Sequence, residues 1–300
     1  MTTSTITPKP ELINDTISQV KVRTVEKVAI IGSGIAGYSA SHPVCANHIS
    51  PLMLTGVVVG GHLTKPKSLK FWPGAQPNML STELATSLNE QALRLGVRFL
   101  YDSVQSIDFN VQPYTIVTSQ GKVIFAETII IATGLEPKTL NLPNESELLD
   151  RNVFTSAASI KTPHKDAAVI GNDESAVEEA LTLSTTIPQV TLLCSSPQLT
   201  CPPSQLLTLT KTANIRMEYN VKVTSYLTDK TDNGLVLRGV TYEQSSKTIS
   251  LDVTAIVLAQ GSKPKVDLFP DSAKTTSGFI KTSFDDPSLK GIFPAGSIVE

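Results

Sequence analysis

The chain has 300 residues, enough for two domains of ordinary size, each able to bury a core without a metal or disulfide staple. With 25 Lys and Arg against 27 Asp and Glu the formal charge is -2, so no basic surface argues for a nucleic-acid partner or an acidic membrane. Three cysteines, Cys45, Cys194 and Cys201, with no Cys-x-x-Cys, argue against a secreted disulfide framework or a zinc ribbon and make the cytoplasm the default compartment.

Residues 1–24 are rich in Ser and Thr, carry Pro8 and Pro10, and lack the long apolar run of a signal peptide or membrane span, so they read as a polar N-terminal extension. Lys27 to Ile31 is a short apolar run of the kind buried on both faces of a parallel sheet. It leads directly into Gly32, Ser33, Gly34, Ile35, Ala36, Gly37. This Gly-x-Gly-x-x-Gly lies between an expected strand and an expected helix, where it marks a dinucleotide loop: a tight turn at Gly32, close backbone approach at Gly34, helix against strand at Gly37. A glycine-rich turn without a ligand is the alternative, and the elements that follow weigh against it.

Pro51 to Thr55 reads as a second strand, and Leu84 to Leu95 as an amphipathic helix with Leu84, Leu88, Ala92 and Leu95 on one face and Gly96 at its C-terminal cap. Thr128 to Ala132 is another buried strand, ending in Thr133 and Gly134. A second cycle opens at Ala167 to Ile170, passes Gly171 and continues into a helix over Ser175 to Ser184 and a strand over Val190 to Leu193. Asn214 to Leu251 alternates, with turn residues Asp232, Asn233 and Gly234, and predicts a β-meander; Val253 to Ala259 is a further buried strand. Two such cycles predict an α/β protein of two Rossmann-like, three-layer domains. The histidines His42, His48, His62 and His164 are scattered, no pair has the spacing of a metal site, and no metal is expected.

Five stretches carry a family resemblance: Ile30–Tyr38 (IIGSGIAGY), Leu54–Leu63 (LTGVVVGGHL), Phe71–Gly74 (FWPG), Ile130–Gly134 (IIATG) and Ser175–Ala180 (SAVEEA), with Ala295 and Gly296 closing the series. In order and spacing from about Val28 onward the chain resembles the low-molecular-weight thioredoxin reductases. That resemblance implies an FAD domain of residues 25–137 and 265–300, with a pyridine-nucleotide domain, 138–264, inserted into it. It implies FAD contacts from Gly32, Ser33, Gly34, Ile35, Ala36 and Gly37, from Thr55, Gly56, Gly60, Gly61, His62 and Leu63, and from Thr133, Gly134, Gly296 and Ser297. It also implies a homodimer. Trp72 and Phe71 read equally well as loop packing or as flavin contacts.

The chain departs from that pattern where the family does its chemistry. The redox Cys-x-x-Cys aligns with Ser156, Ala157, Ala158, Ser159, and a serine hydroxyl stays protonated near neutrality and forms no exchangeable disulfide. Cys194 and Cys201 read as structural or incidental cysteines. The second glycine loop, Gly171, Asn172, Asp173, Glu174, Ser175, Ala176, has a carboxylate at its central glycine. One unit of repulsion about 5 Å from a pyrophosphate at an effective dielectric near 20 costs about 3 kcal/mol. The family's 2'-phosphate grip, His-Arg-Arg, aligns with Cys194, Ser195, Ser196, which removes the guanidinium fork and argues against NADP.

Pro43 falls inside the first helix and predicts that it stops or kinks near His42. Ser297 stands where the family has an aspartate on the flavin's ribityl chain. The sequence ends at Glu300, where the family continues into a helix over the flavin, so a partly uncovered flavin and a truncated product are both expected outcomes. Three readings stay open, in this order: an FAD-binding oxidoreductase without the disulfide step, a non-catalytic pseudoenzyme acting as a binding or regulatory protein, and an active NADPH-dependent thioredoxin reductase.

Overall fold

The computed structural model describes residues 24–299 apart from 66–68, 70, 71, 75 and 233. The extension at 1–23, Phe71 and Asn233 therefore lie outside the described residues. Among the described residues, no helix is long and apolar enough to cross a membrane.

The first sheet grows from β1 (Val25–Ile31), which feeds helix α1 (Ile35–Ala46) and then β2 (Leu52–Leu54). Helix α2 (Ser81–Arg94) leads to β3 (Arg98–Leu100), and β4 (Val104–Asp108), β5 (Tyr114–Thr118) and β6 (Val123–Ile131) follow. The strands lie in the order β3, β2, β1, β6, β5, β4, with β1 parallel to both β2 and β6. The apolar run of β1 is explained by its two faces. Ala29 and Ile31 pack with Leu54, Tyr114 and Ile116, whereas Val28 and Ile30 pack with Tyr38, Met53 and Ala92 under the helices.

The chain leaves this sheet through β7 (Leu135–Pro137) and a short helix α3 (Glu145–Leu148). A second sheet is built from β8 (Val153–Phe154), β9 (Asp166–Gly171), β10 (Gln189–Leu193), β11 (Ile215–Glu218) and β15 (Ala255–Ala259), with helices α4 (Glu174–Ser184) and α5 (Pro203–Lys211). It is parallel throughout, in the order β11, β10, β9, β15, β8. Its strands are also sandwiched. Ala167 and Val169 pack under α4, while Ala168 and Ile170 face a separate antiparallel meander, β12 (Lys222–Thr231), β13 (Gly234–Gln244) and β14 (Lys247–Asp252). The return strand β16 (Ser262–Pro264) pairs with β7, and β17 (Ile292–Pro294) rejoins the first sheet beside β6. Two Rossmann-like units, one threaded through the other, result.

Three expectations need correction. Helix α1 neither stops at His42 nor shortens there: it runs through Pro43 to Ala46. Ser39, whose carbonyl loses its partner to the proline ring, is exposed like Pro43 itself, so water can satisfy the freed group. Leu95 is 43% exposed rather than on the packed face, because it caps α2 and Gly96, at φ +89°, turns the chain so that Val97 is buried instead. The stretch at 215–218 does not belong to the meander. It pairs with β10, Val190 opposite Ile215, and covers the edge of the parallel sheet.

Candidate functional site

A cleft of about 650 Å³ opens at the carboxyl end of the first sheet, where open α/β sheets present their ligand crevice. Its floor is the first glycine loop. Gly32 sits at φ +107°, and a Cβ there would lie 2.3 Å from the Ala132 carbonyl oxygen; at Gly37 a Cβ would lie 2.0 Å from the Gly32 oxygen. Both positions are closed to any side chain by the turn and by helix α1 lying against β1. Gly34 differs. A Cβ at Gly34 would meet nothing within 4 Å, the residue caps α1 in an extended conformation, and no side chain caps the helix. Gly34, Ile35 and Ala36 line the cleft with Gly32 and Ser33, so the amino end of α1 presents backbone N–H groups there, the arrangement that holds phosphate anions.

The second wall is the loop after β2. Thr55, Gly56, Gly61, His62 and Leu63 line the cleft, the last three on a 3-10 turn over Gly61–Thr64. Gly60 stands behind the wall, where its N–H donates to the Ser33 hydroxyl oxygen at 3.2 Å, while the Ser33 hydroxyl donates to the Thr55 carbonyl at 3.0 Å. Thr133 and Gly134 form the opposite rim, and the Thr133 hydroxyl donates to the Lys265 carbonyl at 2.6 Å. Across the opening, His62 Nε2 lies 3.1 Å from the Leu135 carbonyl. Ser297 lines the cleft, whereas Gly296 packs behind it, a Cβ there coming 2.5 Å from Ala36 Cβ.

Val57 and Val58, 87% and 58% exposed, line the cleft from within the LTGVVVGGHL stretch, in the span Thr55 to His62 that the resemblance sets along the adenosine and flavin side. Sequence reasoning missed other wall residues. Ser103, Gln105, Lys265 and Asp267 also reach the cleft, from segments with no local motif to mark them.

The second glycine loop is built differently. Gly171, like Gly32, is closed to a side chain, a Cβ there falling 2.2 Å from the Ala259 carbonyl oxygen, and Ala176 is fully buried against it. Asp173, however, is the N-cap of α4, and its Oδ1 accepts the Ala176 N–H at 3.1 Å. Asn172 closes the crevice further: its Oδ1 accepts the Ser195 N–H at 2.7 Å, its amide donates to the Ser195 hydroxyl at 2.8 Å, and its carbonyl accepts the Thr200 N–H at 2.8 Å. Gln205 donates to Glu174 at 2.8 Å from the next helix. The amino terminus of α4 is thus capped by the protein's own carboxylate.

Ser156 and Ser159 lie away from the first cleft, on the 3-10 turn Ala157–Ser159 beside α4. Glu179 of that helix accepts the Ala157 N–H at 2.6 Å and the Ser156 hydroxyl at 3.2 Å. A link to the other unit passes next to it, Lys65 Nζ donating to the Thr155 hydroxyl at 2.8 Å. The three cysteines are free. Cys194 is buried in the core beneath α4, and burial pushes its thiol up to about 11, which keeps it protonated and unreactive near neutrality.

Two linked Rossmann-like sheets, each opening on a glycine turn and a helix, define a protein of the double dinucleotide-fold class. Comparison with known proteins narrows this. The model of the pyridine nucleotide-disulphide oxidoreductase family matches residues 26–300. The thioredoxin reductase of Buchnera aphidicola from Schizaphis graminum is 26% identical over 293 residues, covering 94% of this chain and 91% of that protein. That of Streptomyces coelicolor is 31% identical over 284 residues, covering 92% and 87%. Lactococcus lactis thioredoxin reductase, in its FR conformation, superposes with a TM-score of 0.79 at 25% identity over 92% of this chain and 91% of that one. The chain belongs to the pyridine nucleotide-disulphide oxidoreductase family, within its thioredoxin reductase-like group of FAD oxidoreductases. The first cleft fits the group's flavin dinucleotide: an uncapped helix terminus, open space at Gly34 and a volume in the range of cofactor sites.

Proposed function

We propose that this chain is a flavin-binding member of its family from which NADPH-driven disulfide reduction has been lost. The observation that carries the reading is the turn at 156–159, where two serine hydroxyls and a Glu179 carboxylate stand in place of a dithiol. Glu179 accepts hydrogen bonds that fix the turn, and no group there can exist as a thiolate, the species that attacks a disulfide sulfur.

FAD, when bound, supplies two-electron redox chemistry at its isoalloxazine ring. The residues of this chain that would hold it are the amides of Gly34, Ile35 and Ala36 for the pyrophosphate, Thr55 to Val58 and Gly61 to Leu63 along the adenosine and flavin side, and Thr133, Gly134 and Ser297 at the rim. Ser297 offers a hydroxyl rather than a carboxylate, a weaker acceptor. The self-capped second loop supports an electron donor other than NADPH or NADH.

The test is optical. Purified protein is expected to show flavin absorbance, or to gain it on addition of FAD, and anaerobic NADPH is expected to leave that absorbance unbleached. Rapid bleaching, or turnover of thioredoxin with NADPH as the only reductant, would sink the reading. A folded protein that stays colourless with added FAD favours instead a purely binding or regulatory role.

A further inference from the structure

Between the two glycines that shape the floor of the cleft stands Ser33, whose side chain is only 2% exposed. Such a residue has no room to act on a ligand by reaching far into the cleft. Its hydroxyl is used in both directions: it donates to the Thr55 carbonyl at 3.0 Å and accepts the Gly60 N–H at 3.2 Å. Thr55 and Gly60 are the two ends of the loop that forms the second wall, and Gly56 and Gly60, at φ +76° and +101°, give that loop a backbone with few conformational restraints of its own. The wall also approaches the floor closely, a Cβ on Gly61 falling 3.3 Å from Gly34 Cα. A small drift of the loop would therefore close or deform the space above Gly34.

We infer that Ser33 is a positioning residue for the dinucleotide cradle: one buried hydroxyl fastens both ends of the 55–60 loop to the glycine turn and so sets the width of the cleft over the α1 terminus. The consequence for cofactor retention rests on the flavin-binding reading above; the fastening itself does not. Removing the hydroxyl leaves a buried N–H and a buried carbonyl short of a partner, whereas threonine, whose hydroxyl has the same reach with one added methyl, keeps both.

Two measurements on Ser33→Ala and Ser33→Thr separate the claims. In the cofactor-free protein, amide hydrogen exchange is expected to quicken by about tenfold or more over 56–61 in Ser33→Ala while α1 beyond its first turn keeps its protection, and Ser33→Thr is expected to stay near the parent. In FAD titrations, Ser33→Ala is expected to bind about tenfold more weakly and to show a smaller FAD-induced rise in Tm, again with recovery in Ser33→Thr. Unchanged exchange at Gly60 in Ser33→Ala overturns the fastening. Quickened exchange with unaltered FAD affinity overturns its role in positioning. A parent protein that takes up no FAD defeats the flavin reading, while the exchange arm still decides the fastening.

Discussion

The two glycine loops share a plan and diverge at one position. In each, the first glycine is demanded by the fold: an added Cβ would fall 2.3 Å from the Ala132 oxygen at Gly32 and 2.2 Å from the Ala259 oxygen at Gly171. At the third position Gly37 and Ala176 are both small residues pressed against the turn. At the second position the requirement comes from a ligand alone. A Cβ added at Gly34 would meet nothing within 4 Å, whereas the equivalent Asp173 swings its carboxylate onto the Ala176 N–H. An uncapped helix terminus and a self-capped one are thus two states of the same device, and only the first leaves its N–H groups to a phosphate.

The comparison predicts a hierarchy. Gly32→Ala should have the largest effect, since it adds both a carbonyl clash and a left-handed residue; unfolding in urea is expected to show a loss of about 3 kcal/mol. Gly171→Ala carries the clash without the positive φ and should lose less. A Gly32→Ala protein as stable as its parent would break the claim that the fold demands this glycine.

Gly34→Val is the sharper test, because it separates folding from binding. The position is extended and spacious, so the cofactor-free protein is expected to lose no more than about 1 kcal/mol, the cost of a poor N-cap. The isopropyl group would then occupy the pyrophosphate position, and FAD affinity is expected to fall about a hundredfold or more, equivalent to about 3 kcal/mol. Isothermal titration of FAD into both proteins checks this. Equal affinities would mean that the cradle over α1 is not where the dinucleotide sits.

How much of this was legible beforehand depended on whether the signal was local. The run Lys27–Ile31 and the loop after it announced a doubly buried strand and a nucleotide turn, because burial on both faces forces an uninterrupted apolar sequence. Asp173 was legible as an intruding carboxylate but not as a cap, since its rotamer depends on the free N–H groups of α4 and on Asn172 anchoring the neighbouring segment. Ser33 was legible as an FAD contact implied by the resemblance but not as a tie between segments, since its partners Thr55 and Gly60 are set by how the β2 loop folds back. The strand at 215–218 alternates just as the meander does, and only pairing with β10 distinguishes them.

The smallest effects should come from Asp173, and their pattern carries more information than their size. If the carboxylate serves as an N-cap, Asp173→Ala is expected to lower stability by about 1 kcal/mol and Asp173→Asn, a comparably good cap, by only a few tenths. Neither should create a pyridine-nucleotide site, because each still places a side chain at the second position of the loop, where a dinucleotide turn needs close backbone approach. Asp173→Gly should likewise be milder than Asp173→Ala, a few tenths, since glycine is the better N-cap of the two. It alone should admit weak, salt-sensitive NADH binding, detectable by fluorescence, if charge and bulk at this one position are the main obstacle. Binding gained equally by all three variants would instead place the obstacle in the carboxylate's charge alone, and binding gained by none would place it in the Asn172–Thr200 closure.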